Sequence, residues 1–166
     1  MSRAFVKEGD GALDPLPDLP LSPHPNYVTP RGLVALQSRL AARQADLATL
    51  KARPDRLDKL PEAAAERDIR YLEARLRSAI PVLLPEQVTE VAFGHRVKVR
   101  DGAGRETSYE ITGEDEADAT LHRIAPTSPL ARALMGALKG DTVIWRRPNG
   151  AVELEVLTIA PLDPPA

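Results

Sequence analysis

At 166 residues, 43% of them hydrophobic but only 4% aromatic, the chain suffices for one ordinary domain or two small modules, with cores built from Leu, Val, Ile and Ala. Its 22 basic and 24 acidic residues leave a formal charge of -2, which excludes a global basic field of the kind that holds nucleic acid. The absence of cysteine excludes disulfides and thiolate metal sites. No stretch has the length of a secretory signal or a membrane span, so a soluble, monomeric, cytoplasmic protein without membrane contact is expected.

Residues 1–26 carry Pro15, Pro17, Pro20, Pro23 and Pro25. Proline fixes φ, removes a donor and pushes its predecessor out of the α region, so this segment reads as an extended, flexible leader. Within it, Phe5-Val6 is either part of a disordered tail or a short docking element that orders on a partner.

Helical signals begin at Thr29, a candidate N-cap, with Pro30 at the first helical position. Leu33, Leu36, Leu40, Leu47 and Leu50 then follow steps of three and four, with Arg43 at the one polar seam position, until Pro54. A second stripe, Ala65, Ile69, Leu72, Leu76 and Ala79, opens near Pro61 and ends at Pro81. Two stripes joined by the short polar segment 54–60 predict an antiparallel helical hairpin over 27–84, with arms of about 22 residues or roughly 33 Å.

From residue 85 to about 162 the period changes to two. Val97 and Val99 alternate with His95, Arg96, Lys98 and Arg100, and the turn Asp101–Gly104 leads to Tyr109 and Ile111. Val143, Ile144 and Trp145 form a further strand, Pro148-Asn149-Gly150 turns it, and Val152, Leu154, Val156 and Ile159 return. Between the hairpins, Pro129–Leu138 predicts one short helix, with Ser128 as N-cap and Pro129 at the first position. The expected fold class is α+β: a helical hairpin followed by a twisted antiparallel sheet with a single helix.

Three blocks in this framework resemble the GreA/GreB family of bacterial transcription elongation factors. Val28-Thr29-Pro30-Arg31-Gly32-Leu33 looks like the family's helix opening. Ile111–Asp118 (ITGEDEAD) is similar to its acidic segment, and Ile124–Leu134 (IAPTSPLARAL) to its most specific signature. The resemblance implies a coiled coil that enters the secondary channel of RNA polymerase and an FKBP-like C-terminal domain that grips the channel rim. It implies no intrinsic enzyme activity, with Ser128, Pro129, Ala131 and Arg132 contacting polymerase and nucleic acid met only within the elongation complex. It also implies an acidic pair at the coiled-coil tip that shares a Mg²⁺ ion with the polymerase active site for cleavage of backtracked RNA, the hard carboxylate oxygens suiting that ion.

The tip departs from the family pattern. Pro54–Glu62 holds Asp55 and Asp58 as D-x-x-D, without the Glu and Asn that follow in cleavage factors, and each arm reads about one heptad short, or about 10 Å. Either Asp55 and Asp58 are the retained shared Mg²⁺ ligands, or Asp58 caps the second helix and Asp55 is a solvated turn residue, leaving a factor that competes for the channel. No cofactor of the chain's own is expected. His24, His95 and His122 lie in separate segments without metal-ligand spacing and read as surface residues. The run Glu114-Asp115-Glu116 reads as a structural acidic loop, and Arg96, Lys98 and Arg100 as the solvated face of a strand. The contrasting function is a peptidyl-prolyl isomerase, which would need an aromatic pocket. Phe93, Tyr109 and Trp145 are expected to be dispersed.

Overall fold

The computed structural model describes residues 14–84 and 86–163. Phe5-Val6 lies outside the described residues.

Two long helices, α1 (Pro30–Lys51) and α2 (Leu60–Ser78), occupy the N-terminal half. Thr29 stands in extended backbone and its side chain accepts from the Gly32 amide, with Pro30 behind it, as the cap-then-proline order predicts. Along α1 the inward positions are the leucine stripe: Leu36 is 2% exposed, Leu33 and Leu40 are half-buried, and the intervening residues face solvent. Leu72 of α2 meets them, packed with Leu76 and Ala79. Polar pairs continue the contact between the two helices, Arg43 with Asp68 at 2.6 Å and Lys51 with Glu66 at 2.9 Å. Arg43, the polar seam residue, is thus held by an acid of the other helix.

Residues 14–26 form neither helix nor strand until Tyr27. They nonetheless lie along α2. Leu16 accepts through its carbonyl from Arg70 Nη2 at 2.8 Å, Asp18 pairs with Arg70 Nε at 2.6 Å, and Asn26 is buried. Beyond Asn26, a two-residue strand β1 (Tyr27–Val28) pairs in parallel with β2 (Ile80–Pro81), so the start of α1 and the end of α2 are stitched together.

The C-terminal half is a five-stranded sheet in the order β5-β4-β3-β7-β6. Its strands are β3 (His95–Asp101), β4 (Glu106–Ile111), β5 (Arg123–Ile124), β6 (Thr142–Arg147) and the 12-residue β7 (Gly150–Pro161). The expected hairpins are present, β3 with β4 and β6 with β7, both antiparallel. The sheet is not purely antiparallel, because β5 runs parallel to β4. The register between β3 and β7 shifts by one residue at Lys98/Val99, a bulge of the kind that bends a strand and increases its twist.

One face of this curled sheet carries α3 (Pro129–Leu134), capped by the Ser128 hydroxyl, which accepts from the Ala131 amide at 3.2 Å. The helix stops at Leu134 rather than at Leu138. Met135 leaves the helical region and Gly136 turns the chain at φ +80, a conformation glycine adopts without cost, so that Leu138 can bridge to Glu90. Leu130, Ala131 and Leu134 enter a core with Val91, Val97, Val99, Ile111, Leu154 and Val156. Burying each large aliphatic side chain of this set contributes about 1.5–3 kcal/mol. The helices and the sheet together make an α+β chain, and no helix among the described residues is long and apolar enough to cross a membrane.

Candidate functional site: tip, clamp and aromatic cleft

Three places gather the residues that sequence singles out. At the end of the helical pair, residues 52–59 turn the chain. Asp55 and Asp58 are exposed, and each carboxylate folds back on its own backbone: Asp55 Oδ1 accepts from the Leu57 amide and Asp58 Oδ1 from the Leu60 amide, both at 3.0 Å. Asp58 therefore caps the start of α2 from the position before Lys59, which the helix boundary makes the N-cap residue. The next acid, Glu62, is held by Arg56 through two bonds of 2.9 and 2.7 Å, and the Arg56 hydrogen bond lowers its pKa. No group of three or more His, Cys, Asp or Glu side chains among the described residues converges to hold a metal ion. The tip offers two exposed carboxylates, each with one oxygen engaged by the backbone of its own turn.

The second place is the junction of helices and sheet, where the acidic run Glu114–Glu116 forms a single 3-10 turn. Its side chains point at the base of the helices rather than at solvent. Arg75 of α2, with 3% of its side chain exposed, donates to Asp115 Oδ2 at 2.6 Å and to Asn26 Oδ1 at 2.6 Å. Tyr71 donates to the other Asp115 oxygen at 2.7 Å; burial and that bond push the tyrosine up to about 12. Glu116 accepts from the Thr29 hydroxyl at 2.7 Å, the Gly113 amide at 3.3 Å and Arg31 Nε at 3.3 Å. Gly32 is required here, since a Cβ on it would overlap the Glu116 carboxylate. Glu110 completes the clamp by accepting from Arg31, Arg96 and Arg123 at 2.8, 2.9 and 3.2 Å. Burial raises the Glu110 pKa, but the bonds from Arg31 and Arg96 outweigh it and the net displacement is downward. The acidic segment thus binds the helices to the sheet.

The basic strand residues are likewise engaged: Arg96 with Glu110 and Asp163, Lys98 with Glu106, Arg100 with Glu155. They present no free basic stripe. His95 is not a surface residue as expected. It is 3% exposed, its Nδ1 accepts from the Ala92 amide at 3.0 Å, its Nε2 has no hydrogen-bond partner among the described residues, and burial lowers its pKa. Its place in the strand explains this, because His95, Val97 and Val99 share one face and Arg96, Lys98 and Arg100 the other. His24 and His122 are exposed.

The third place adjoins α3. Pro129 and Arg132 are exposed and Ser128 is half-buried, so all three are available to a partner. Ala131 is fully buried beneath them and is corrected from a contact residue to a core residue. Beside Ser128 and Pro129 opens a cleft of about 490 Å³, lined by Tyr109, His122, Ile124, Leu130 and Trp145, with Arg146 and Arg147 at its mouth. The aromatics are not dispersed as sequence led one to expect. Tyr109 of β4 and Trp145 of β6 stand with ring centroids 6.4 Å apart, although two strands separate theirs in the sheet order, and His122 sets its ring edge-on to Tyr109 at 5.4 Å. The curl of the sheet brings them together. Phe93 lies elsewhere, against Tyr27 at 5.9 Å. His122 adopts φ 54, the one non-glycine left-handed residue among those described, and so sits strained at the cleft's edge.

The family model described as transcription elongation factor GreA/GreB, C-terminal, matches residues 86–161, the stretch that carries the sheet and α3. The transcription elongation factor GreB of Neisseria meningitidis serogroup A is 41% identical over 96 residues, 57% of this chain and 59% of that protein. This chain thus spans about three-fifths of the length of that relative. The GreA of Anaeromyxobacter sp. strain K is 31% identical over 150 residues, covering 80% of this chain and 90% of its own. Among solved structures, the GreA factor homolog Gfh1 of Thermus thermophilus aligns over 82% of this chain and 99% of that one at 24% identity, with a TM-score of 0.40. With the two-helix and curled-sheet architecture and a relative matched over nine-tenths of its length, the chain belongs to the GreA/GreB family of transcription elongation factors.

Proposed function

We propose that the chain regulates transcription elongation by docking on RNA polymerase at its secondary channel, and that it competes there with cleavage factors rather than stimulating cleavage. The names of its relatives as transcription elongation factors support the regulation of elongation. On this reading, residues 27–84 act as one module, an antiparallel hairpin. Arg43 of α1 faces Asp68 while Lys51, further along, faces the earlier residue Glu66, an order that supports opposite directions for the two helices. Residues 85–162 act as an FKBP-like docking module, using Ser128, Pro129 and Arg132 on the exposed side of α3.

The observation that carries the competitor reading is the tip. Asp55 and Asp58 each hold a backbone amide of their own turn, and Glu62 is held by Arg56. A carboxylate must come within about 2 Å of Mg²⁺ to ligate it. Arms of 22 and 19 residues reach roughly 33 and 29 Å, about a heptad less than the resemblance implies for cleavage factors. No step of RNA cleavage is assigned to this chain's residues, and no ion is assigned to its tip.

Docking is tested with Arg132→Glu, an exposed position whose reversal leaves the core intact. Polymerase affinity measured by titration should fall roughly tenfold, as expected for a charge reversal at an interface. Affinity equal to wild type would remove α3 from the interface.

A further inference from the structure

We infer that residues 14–26 are a latched strap that stiffens the helical arm against the sheet, hinged at Asn26 and latched by Arg70 of α2. The strap acts within the chain and independently of polymerase docking.

The hinge is buried and fully bonded. The Asn26 side chain donates to the Arg75 carbonyl at 2.8 Å and to the Ser78 hydroxyl at 3.1 Å, and accepts from Arg75 Nη2 at 2.6 Å. Its own carbonyl accepts from the Ile80 amide at 2.8 Å. Pro23 and Pro25 precede it, fixing the backbone there and carrying no N–H that would need a partner.

From the hinge the chain does not simply follow α2. Arg75 and Arg70 are five residues apart, about 8 Å along a helix. Residues 16–26 span about 31 Å as extended, proline-rich chain, so the segment wraps the base of the arm. The surplus first reaches the sheet side, where Ser22 donates to Glu114 of the acidic turn at 2.9 Å. It then crosses the arm, placing Leu19 at a hollow of about 440 Å³ between α1 and α2 that Ala42, Tyr71 and Leu72 also line. Two helices paired only with each other bury a single seam, and of their leucines only Leu36 and Leu72 are buried. A third element tied both to the arm and to the acidic turn resists bending at the base, where two helices alone would flex.

The far end is held differently. One guanidinium makes both ties there: Arg70 Nε donates to Asp18 at 2.6 Å and Nη2 to the Leu16 carbonyl at 2.8 Å. The Asp18 side chain is 76% exposed. Exposed ion pairs contribute little and are screened by salt, so the strap opens from this end while Asn26 holds the other. Its prolines keep the open segment extended, so little conformational freedom is lost each time it closes. Closed, the strap aims the arm; open, it leaves the tip to sweep about the base.

The chain contains no cysteine, so spin labels can be placed in the full-length protein at chosen sites. One labelled form carries Leu57→Cys at the tip and Ala151→Cys on β7; a second carries Asp14→Cys in the strap and Gln44→Cys on α1, all four positions being exposed. Pulsed dipolar spectroscopy of the wild-type background should give one narrow tip-to-sheet distance and one narrow strap-to-arm distance. Arg70→Glu sets a carboxylate opposite Asp18, and Asp18→Lys sets an ammonium opposite Arg70 without touching α2. Each should replace the strap-to-arm peak by a broad, longer distribution and broaden the tip-to-sheet peak with it, while helical circular dichroism stays at its wild-type value. The charge swap, Asp18→Lys with Arg70→Glu, should restore both narrow peaks. A strap that stays in place in both single variants, a tip distance that stays narrow once the strap is free, or a swap that restores neither peak would overturn the inference. Loss of helical circular dichroism in Asp18→Lys would overturn it too, since the strap would then hold the helices together rather than stiffen a folded arm. No polymerase enters these measurements, so their failure leaves the docking reading standing.

Discussion

Replacing Arg75 with methionine keeps the aliphatic stem of the side chain and removes its charge. In the wild type that guanidinium, 3% exposed, donates to Asp115 and to Asn26, which is itself 5% exposed. Without it, Asp115 keeps only the Tyr71 hydroxyl and the Asn26 oxygen has no donor. Each charge-assisted bond contributes about 1.5–3 kcal/mol, and removing one partner of a buried pair costs about 3–5 kcal/mol because the other charge stays behind. We expect Arg75→Met to cost about 3–5 kcal/mol by denaturant unfolding, with a melting temperature lower by roughly 6–20 °C for a chain of this size. Adding Asp115→Asn should cost much less in the Arg75→Met background than in the wild type, because it then removes a charge that has already lost its guanidinium partner. The coupling energy of this cycle should be about 1.5–3 kcal/mol. A cost below about 1 kcal/mol for Arg75→Met, or additive costs in the cycle, would refute the view that this clamp fixes the helices to the sheet.

Two pH predictions follow, one from Tyr71 in the clamp and one from the buried His95 of β3. Tyr71, raised to about 12, keeps its proton longer folded than unfolded, so its contribution is intact below about pH 10 and is lost as the pH climbs to 12. Discounted for its partial exposure, that is roughly 1–2 kcal/mol, and unfolding at pH 9 and 11.5 should show a smaller alkaline loss in Tyr71→Phe than in wild type. An equal loss in both would remove Tyr71 from the account. His95, whose pKa burial lowers from 6.5, is neutral when folded and takes up protons more readily when unfolded, so stability should fall as the pH drops below about 6.5. His95→Gln should flatten that acid slope, whatever it does to stability at neutral pH, and an unchanged slope would count against it.

Much of the architecture was legible because its signals are local. Thr29-Pro30 and Ser128-Pro129 mark helix starts within two residues, and five leucines of α1 recur along one stripe. The burial of His95 was also legible, since it lies in phase with Val97 and Val99, but grouping it with the neighbouring basic residues put it on the wrong face. Other features had no local signature. Buried Arg75 reads as a solvated helix charge until Asp115, 40 positions later, is seen beside it. The parallel pairings β1–β2 and β4–β5 each involve two residues, too few to show a period. The cleft depends on sheet curl, which brings Tyr109 and Trp145 together across two intervening strands, and no spacing in the chain encodes that.

The competitor account stands or falls on RNA cleavage in a stalled, backtracked elongation complex, measured with this protein, with a genuine cleavage factor, and with both. The wild type should release little or no cleaved RNA by itself and should inhibit the genuine factor in a concentration-dependent way. Asp55→Ala with Asp58→Ala should inhibit equally well, because on the competitor account these carboxylates, which accept from Leu57 and Leu60, serve only the turn. Robust cleavage by the wild type that is lost in the double variant would contradict the account and make these two residues the working tip.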